Sequence, residues 1–252
     1  MSDIALSIEN LSKKIYCKSF FSVEYEYIIY PMNFHVECGE VLSFLGEKGC
    51  GFTSIIHLLV GLRKCTTGKI YVANEDISAL SVKEKCQYIG VIFSNPKYSF
   101  YSYIRIMKQL DLYLKLHTQY DKKQRRDRIK YCLELVDFPI NYIYFYPHML
   151  PKNLLYILSF VKILLLAPKV IIFDDAFLGF DSLFIAQLIN IISILRKEMN
   201  IAFIIMSSDV PLIEYMSDRI IVLQKGKILQ ESDFHSLYHS PCNEYVRKLI
   251  HL

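Results

Sequence analysis

The sequence predicts an α/β fold, with a largely parallel sheet covered by helices on both faces. Val170–Phe173 and Ile201–Met206 are short and wholly apolar, which is typical of strands buried on both faces. An amphipathic helical stretch, Ser182–Lys197, separates them, and this alternation is typical of parallel α/β sheets. With 252 residues and 53% hydrophobic content, the chain can form one large domain with a sizeable core.

The N-terminal third is predicted to be mainly β. The predicted elements are an edge strand at Ile4–Glu9, a hairpin at Phe34–Leu45 that turns at Cys38-Gly39-Glu40, a helix at Thr53–Leu62, and strands at Gly68–Val72 and Tyr88–Phe93.

From Pro96 to Pro147 the pattern is helical, polar and rich in tyrosine. It includes a basic run, KKQRRDRIK, at 122–130. That run could bind nucleic acid, but its helical spacing and the interleaved Asp127 favour a solvated helix face.

The C-terminal part continues the alternation. An apolar helix follows Pro151, and beyond the two buried strands we expect a short helix at Pro211–Met216, small strands at Arg219–Leu223 and Lys227–Gln230, and a helical tail from Phe234 to Leu252.

Composition excludes several classes of protein. The 7 cysteines are scattered and form no C-x-x-C pair, which argues against a disulfide framework or a zinc site. A net charge of +4 does not argue for nucleic acid. The apolar run Leu154–Ala167 is shorter than the roughly 20 residues of a membrane span, and the N-terminus has no secretory pattern.

A glycine-rich segment follows the strand VLSFL. Phosphate-binding loops read G-x-x-x-x-G-K-[ST], where backbone N–H groups surround the phosphates, the lysine adds charge and the hydroxyl holds Mg²⁺. Here Gly46, Gly49, Gly51 and Thr53 stand in register, but Phe52 occupies the lysine position. The sequence therefore predicts the framework of a nucleotide site without its main cation.

Several further segments resemble the ATP-binding subunits of ABC transporters. They are YPHMLP (146–151), PKVIIFDDAFLGFD (168–181), MSSD (206–209), SDRIIVLQKGKIL (217–229) and the ending SP-x-x-E-Y-x-x-x-LI (240–250). The likeness covers nearly the whole chain and is strongest to the oligopeptide, dipeptide and Sap peptide-uptake group. It implies a P-loop NTPase core of the ABC ATPase type with a parallel sheet, an antiparallel N-terminal β portion and a helical subdomain at 97–167, in one domain spanning 1–252.

The resemblance also implies ATP and Mg²⁺ as cofactors. It assigns phosphate contact to Gly46, Glu47, Lys48, Gly49, Cys50, Gly51, Phe52, Thr53 and Ser54. Lys48 either partly replaces the missing lysine or is a solvated surface side chain. Ser94 stands where the family has a glutamine, and Tyr16 is the candidate to stack on adenine.

The acidic strand end keeps more of the family pattern. Asp174 matches the aspartate of the Mg²⁺ shell, and Asp175 replaces the glutamate that orients or deprotonates the attacking water. Asp181 matches an aspartate that communicates between subunits. Ser208 replaces the polarising histidine.

The signature segment, which faces the nucleotide of a partner subunit in this family, has lost its serine and glycines. Its positions here are Leu150, Pro151, Lys152, Asn153 and Leu154.

We therefore expect an ATP-binding subunit of a peptide-type inner-membrane importer, peripheral on the cytoplasmic face, with impaired hydrolysis. Its implied partners are a second ATP-binding subunit, two membrane permeases and, indirectly, a periplasmic binding protein, with no nucleic acid. A non-catalytic pseudo-ATPase scaffold and a decaying relic are the alternatives.

Overall fold

The computed structural model describes residues 3–18 and 23–250, which form two sheets surrounded by helices. The strands are β1 Ile4–Lys18, β2 Val23–Glu37, β3 Val41–Leu45, β4 Thr67–Val72, β5 Glu75–Asp76, β6 Ile89–Phe93, β7 Val170–Asp174, β8 Ala202–Ser207, β9 Arg219–Gln224 and β10 Lys227–Ser232. The helices are α1 Phe52–Leu59, α2 Val82–Lys85, α3 Ile106–His117, α4 Lys122–Leu135, α5 Lys152–Leu164, α6 Ser182–Met199, α7 Val210–Met216, α8 Phe234–His239 and α9 Glu244–Ile250.

The six-stranded sheet has the order β10-β9-β3-β8-β7-β6 and is parallel except for β10. Its inner strands β3, β7 and β8 are almost entirely buried, which explains their continuous apolar sequences. The four-stranded sheet has the order β2-β1-β4-β5 and is antiparallel. The predicted α/β class with an antiparallel N-terminal portion is confirmed.

Two core clusters cover the faces of the parallel sheet. One fills the space between the two sheets and includes α1, and the other lies against α3, α4, α5 and α6. A third, smaller cluster packs α7, α8 and α9 near β9. The parallel sheet is thereby covered on both sides, as the sequence predicts.

The prediction that Ile4–Glu9 is an edge strand is wrong. β1 continues to Lys18 and lies between β2 and β4. The alternation of apolar and polar residues in β1 indicates one buried face. It does not show whether the strand is central or at an edge, because that depends on pairing with strands that are distant in the sequence.

The predicted hairpin at Phe34–Leu45 is also wrong, although the turn itself is present. β2 ends at Glu37 in the antiparallel sheet, and β3 begins at Val41 in the parallel sheet, so the turn links two sheets. Gly39 allows this turn because its φ is 72°. β3 pairs with β8 and β9, which cover both edges of this apolar strand.

The C-terminal tail is two helices rather than one. α8 ends at His239 and α9 begins at Glu244, and Pro241 lies between them. Proline has no N–H for a helical hydrogen bond, which accounts for the interruption. Residues 251 and 252 of the predicted helix lie outside the described residues.

The basic run at 122–130 forms most of α4. Within it, Arg125 forms an ion pair with Asp111 at 2.7 Å, and the guanidinium of Arg128 donates to the carbonyls at the end of α5. These two arginines therefore join the helices of the region, which agrees with a structural role. The division of residues 97–167 into a subdomain stays a prediction.

No helix among residues 3–18 and 23–250 combines the length and apolarity that a membrane crossing requires.

Candidate nucleotide-binding site

Four segments that carry predicted site residues end at the same edge of the parallel sheet. Asp174 at the end of β7 pairs in register with Phe93 of β6 and Met206 of β8, and Leu45 of β3 pairs with Ser207. The carboxyl edge of a parallel sheet is the usual position of ligand sites in α/β proteins. The fold thus brings the glycine-rich loop, the acidic pair and the loops with Ser94 and Ser208 to one edge.

The glycine-rich loop has a backbone that suits an anion. Gly51 precedes α1 with a φ of 126°, a conformation that L side chains rarely adopt. The free N–H groups at the N-terminus of α1 and the helix dipole together favour negative charge there. The loop is also anchored, because the N–H of Gly226 donates to the Cys50 carbonyl at 2.6 Å.

A cavity of about 320 Å³ opens between this loop and the end of β7. Its lining residues are Lys48, Gly49, Gly51, Phe52, Thr53, Ser54, Asp174 and Asp175. The structure therefore brings most of the predicted phosphate-contact residues together with both carboxylates. This cavity can accommodate an anionic ligand close to a hydroxyl and two acids.

Phe52 is buried, with 8% of its surface exposed, and it belongs to the core between the two sheets. Its aromatic side chain adds no positive charge to the cavity. Lys48 is exposed and supplies the cationic group among the described lining residues. Lys48 acts electrostatically on Asp175, where it opposes the rise of the carboxyl pKa.

The acidic pair is partly desolvated. Burial raises the pKa of Asp174, the neighbouring Asp175 raises it further, and His57 opposes the shift. Burial also raises the pKa of Asp175, whose buried Oδ1 has no hydrogen-bond partner among the described residues. A buried carboxylate oxygen without a partner is the kind of group that a bound ligand, cation or water satisfies.

The backbone explains why aspartate suits position 175. Its φ is 47°, in the left-handed region, where aspartate is several-fold enriched relative to most residues. Its N–H donates to the Met206 carbonyl at 3.0 Å, which fixes the peptide against β8.

The donor set fits Mg²⁺ held jointly with a ligand. The portion of the chain that the structure describes contains no group of three His, Cys, Asp or Glu side chains arranged for a metal. Mg²⁺ is commonly bound by one or two protein oxygens, several waters and substrate phosphates, so a full protein cage is not required. Thr53 and Asp174, which line the same cavity, can provide those oxygens.

The predicted site residues Ser94 and Ser208 follow strands that end at this edge of the sheet. Ser94 is exposed directly after β6, and Ser208 is half-buried directly after β8. Asp181 is the N-cap of α6, where its Oδ1 accepts the N–H of Phe184 at 2.9 Å. The carbonyl of Asp181 also accepts the N–H of Ile185 at 3.0 Å, and its role between subunits stays a prediction.

The signature segment lies apart from the cavity, and none of Leu150–Leu154 lines it. Pro151 is the N-cap of α5 and Leu150 is buried. The ammonium of Lys152 lies 4.1 Å from the centre of the Phe180 ring, a cation–π geometry. Asn153 and Leu154, in the first turn of α5, are half-buried.

Tyr16 does not line the cavity either. Its side chain is 70% exposed, and its ring centre lies 4.8 Å from that of Tyr25 on the neighbouring strand. Its assignment to adenine stays a prediction.

Sequence reasoning missed two side chains close to the site. The N–H of Glu47 donates to the hydroxyl of Tyr245 at 3.4 Å, which ties the loop to α9. His57 of α1 is close enough to lower the pKa of Asp174. In the sequence, only the position of His57 in the helix that follows the loop could have indicated that it lies near the acidic pair.

Comparisons with known proteins agree with this geometry. A sequence profile described as ABC transporter matches residues 29–178, more than half of the chain. The putrescine export system ATP-binding protein SapF of Escherichia coli (strain K12) is 28% identical over 99% of this chain and 94% of its own length. The oligopeptide transport ATP-binding protein OppF of Salmonella typhimurium is 28% identical over 84% of this chain and 65% of its own.

Solved structures show the same fold. CbiO1 from Clostridium perfringens, described as part of the ABC transporter complex cbiONQ, superposes with a TM-score of 0.80 at 19% identity, covering 94% of this chain and 92% of that chain. A dimeric ATP-binding cassette bound to ADP and Pi superposes with a TM-score of 0.76 at 20% identity, covering 90% and 98%. The profile match, the fold and the loop-plus-carboxylate geometry lead to one conclusion: the chain belongs to the ABC transporter family, as one of its ATP-binding domains.

Proposed function

We propose that this chain is the ATP-binding subunit of a peptide-type ABC importer, peripheral on the cytoplasmic face of the inner membrane. The cavity between the glycine-rich loop and Asp174 carries this proposal. Relatives named for oligopeptide and dipeptide transport support the solute class, whereas the Escherichia coli K12 relative is named for putrescine export. The permeases and binding protein, rather than this subunit, are expected to select the solute.

The proposed chemistry assigns a role to each group at the cavity. Backbone N–H groups of residues 46–53 hold the phosphates, and Thr53 and Asp174 hold Mg²⁺. When bound, Mg²⁺ neutralises phosphate charge and polarises the phosphoryl group. Asp175 holds and deprotonates the attacking water, and Ser208 donates a hydrogen bond.

Lys48 supplies the positive charge that Phe52 does not. Both residues line the cavity with the two carboxylates, but Lys48 is exposed and charged, whereas Phe52 is an uncharged side chain that is mostly packed into the core. A lysine on an exposed loop is less constrained than one at the first position of a helix. We therefore expect Lys48 to support binding more than it supports catalysis, which requires finer positioning.

The second candidate function is a subunit that hydrolyses ATP slowly or not at all, and the signature segment favours it. In place of a hydroxyl and glycine N–H groups it presents Pro151, which has no N–H to donate. Lys152 is engaged with the Phe180 ring. Removal of one hydrogen-bond donor to the transition state commonly lowers the rate by about two to three decades. Hydrolysis would therefore also be slowed at the nucleotide of a partner chain that this signature segment faces.

Two such subunits and two permeases form the proposed assembly, with a second, different ATP-binding chain as partner. In a pair, each nucleotide would lie between one chain's loop and the other's signature. This chain would then impair one composite site through Phe52, Ser94 and Ser208, and the other through Leu150–Leu154. Residual turnover would occur at the partner's loop.

The test is equilibrium binding of ATP to the purified chain by calorimetry, with and without Mg²⁺. We expect micromolar, Mg²⁺-dependent binding. Asp174→Asn should abolish the Mg²⁺ dependence, and Lys48→Gln should weaken binding by about one to two decades, the effect of losing a charged hydrogen bond. Lys123→Gln, an exposed substitution on α4, is the charge-matched control.

Absence of binding at millimolar ATP would overturn the nucleotide function and leave a scaffold or a relic. Binding that is unaffected by Lys48→Gln would overturn the role of Lys48 alone. Mg²⁺ dependence that survives Asp174→Asn would show that the metal ligands are assigned wrongly.

A further inference from the structure

A second cavity lies at the opposite end of α1 from the glycine-rich loop. Its volume is about 530 Å³, larger than the roughly 320 Å³ beside the loop, and the two share no lining residue. We call it the α1–α2 cavity, after the helices that border it. Its lining residues are Leu58, Gly61, Arg63, Lys64, Cys65, Ile70, Ser78, Ala79, Leu80, Ser81, Val82 and Lys85.

Among the described residues, three cationic side chains and no carboxylate line the α1–α2 cavity. Arg63 and Lys64 are exposed at its mouth, whereas Lys85 is buried with 3% of its surface exposed. The stem of Lys85 packs over Gly61, where a Cβ would lie 3.1 Å from the lysine Cδ. The structure thus places a buried lysine in the wall of an open space.

Lys85 has no ion-pair or hydrogen-bond partner within the described part of the chain. Burial lowers the pKa of its ammonium, while electrostatic interactions with Cys65 and Asp76 oppose this shift. Buried charges are ordinarily paired, because desolvation of an unpaired ion is costly. Lys85 therefore lacks the anion that its position calls for.

The nearby carboxylates are engaged elsewhere. Asp76 accepts the N–H of Ser78 at 2.9 Å, and Glu84 accepts the N–H and hydroxyl of Ser81 at 2.8 and 2.6 Å. Glu75 accepts the hydroxyl of Tyr88 at 2.7 Å. None of these acids forms an ion pair with the cations of the α1–α2 cavity among the residues that the structure describes.

Hydrogen bonds hold the walls of the α1–α2 cavity in place. Ser78 accepts the N–H of Ile70 through its Oγ at 2.8 Å, and its hydroxyl is engaged with the Asp76 carboxylate, where this hydrogen bond lowers the carboxyl pKa. The loop with Lys64 is held in place because the Lys13 ammonium donates to the Lys64 carbonyl at 2.8 Å. The floor, which includes Ile70 and Leu80, is apolar.

We propose that the α1–α2 cavity binds a phosphate-bearing anion, with Lys85 at its base and Arg63 and Lys64 at its mouth. Several cations around one cavity suit a multiply charged phosphate group better than a single carboxylate. The same chemistry is presented by a soluble phosphate compound and by an anionic phospholipid headgroup.

Cys65 provides a native reporter, since its half-buried thiol lines the cavity. The experiment measures the alkylation rate of each cysteine in the full chain by mass spectrometry, with Cys242, which is exposed, as the internal reference. The probes are pyrophosphate, phosphatidylglycerol vesicles and phosphatidylcholine vesicles. We expect pyrophosphate or phosphatidylglycerol to slow alkylation of Cys65 and to leave Cys242 unchanged.

The double variant Arg63→Gln/Lys64→Gln removes two exposed charges, and it should raise the half-protecting concentration by about tenfold or more. Lys85→Met, which keeps the length of the buried stem, should have a similar effect. The charge-matched control is Lys115→Gln/Lys123→Gln, on the exposed surfaces of α3 and α4. Each rate is referred to that of the same variant without probe.

Protection by pyrophosphate identifies a soluble ligand, and protection by phosphatidylglycerol vesicles alone identifies a headgroup. Either result supports the proposal. It is overturned if no probe protects Cys65, if phosphatidylcholine protects as well as phosphatidylglycerol, or if the Arg63/Lys64 variant is protected like the wild type.

Discussion

Positions 48 and 52 show how two residues of one loop can have opposite environments. Phe52 begins α1 and points into the core between the sheets, while Lys48 is exposed at the cavity. The aromatic side chain therefore contributes packing at the position where this family places a cation. Any positive charge that the loop offers to a ligand comes from an earlier, more exposed residue.

We expect Phe52→Lys to raise ATP affinity while lowering stability. Truncation of a buried phenylalanine to alanine commonly costs about 3–5 kcal/mol, and the lysine stem should recover only part of this packing. Thermal unfolding and calorimetry with ATP measure the two effects on the same sample. Phe52→Leu is the control, since it should lower stability slightly without improving affinity.

An unchanged ATP affinity in a folded Phe52→Lys protein would mean that the new ammonium does not reach the cavity. An unchanged midpoint of unfolding would mean that Phe52 contributes little to the core.

Asp175 gives a prediction that depends on pH. Its folded-state pKa is raised by burial, so the folded chain binds a proton more tightly than the unfolded chain, whose aspartate pKa is about 3.9. As the pH rises through the unfolded and then the folded pKa, the wild type loses stability. Asp175→Asn removes that loss and suits the φ of 47°.

The Asp175→Asn chain should melt at a higher temperature than the wild type at neutral pH, because the raised pKa of Asp175 no longer lowers stability there. The difference should shrink as the pH falls towards the unfolded pKa. Scanning calorimetry across this range measures it, with Asp127→Asn on α4 as a control. A difference that is constant with pH would show that titration of Asp175 is not its cause.

At the scale of elements, α5 connects the signature segment to the core. Tyr156, one turn into this helix, is fully buried and packs edge-on against Phe160, Phe180 and Phe184. Its hydroxyl has no partner among the described residues, and burial raises its pKa. The same aromatic cluster holds Phe180, over which the Lys152 ammonium lies.

Tyr156→Phe should increase the free energy of unfolding by about 1 kcal/mol, because it removes a buried hydroxyl that makes no hydrogen bond. Denaturant unfolding gives this value, and Tyr103→Phe is the control because Tyr103 is 91% exposed. A loss of stability in the Tyr156 variant would reveal that the hydroxyl does have a partner.

The sequence predicted the elements around the site better than the elements of the antiparallel sheet. β7, β8 and α6 match their predicted spans closely. The local hydrophobic pattern is sufficient to indicate a strand that is buried on both faces or an amphipathic helix. β1 and β2 were mostly missed as long strands. Their exposed tyrosines and charged residues interrupt the alternation that predicts a strand. These two strands are stabilised instead by their antiparallel pairing with each other, which the local sequence does not show.

At the scale of the whole molecule, the two ends of α1 differ in charge. One end meets a cavity with two carboxylates and Lys48, and the other meets the α1–α2 cavity with three cations. A single short helix thus links the proposed nucleotide site to the proposed phosphate site.

The proposed assembly predicts the result of affinity purification. A tagged chain isolated in mild detergent from the organism that encodes it should carry a second ATP-binding chain and two permeases, since neither composite site is complete in one chain. Mass spectrometry identifies these proteins, and a parallel purification without the tag is the control. Recovery of the chain alone would favour the relic.

The sequence by itself determined the α/β class and the family, and the described residues that line the candidate nucleotide cavity all belong to the larger set that it predicted. These features can be predicted because they depend on short continuous segments of sequence, each made of a strand, a loop and a helix. Only the tertiary structure decided that Phe52 is buried, that Lys48 shares a cavity with Asp175, and that Lys85 is buried without a counter-ion. Burial and pairing depend on segments far apart in the chain, so no local pattern contains them.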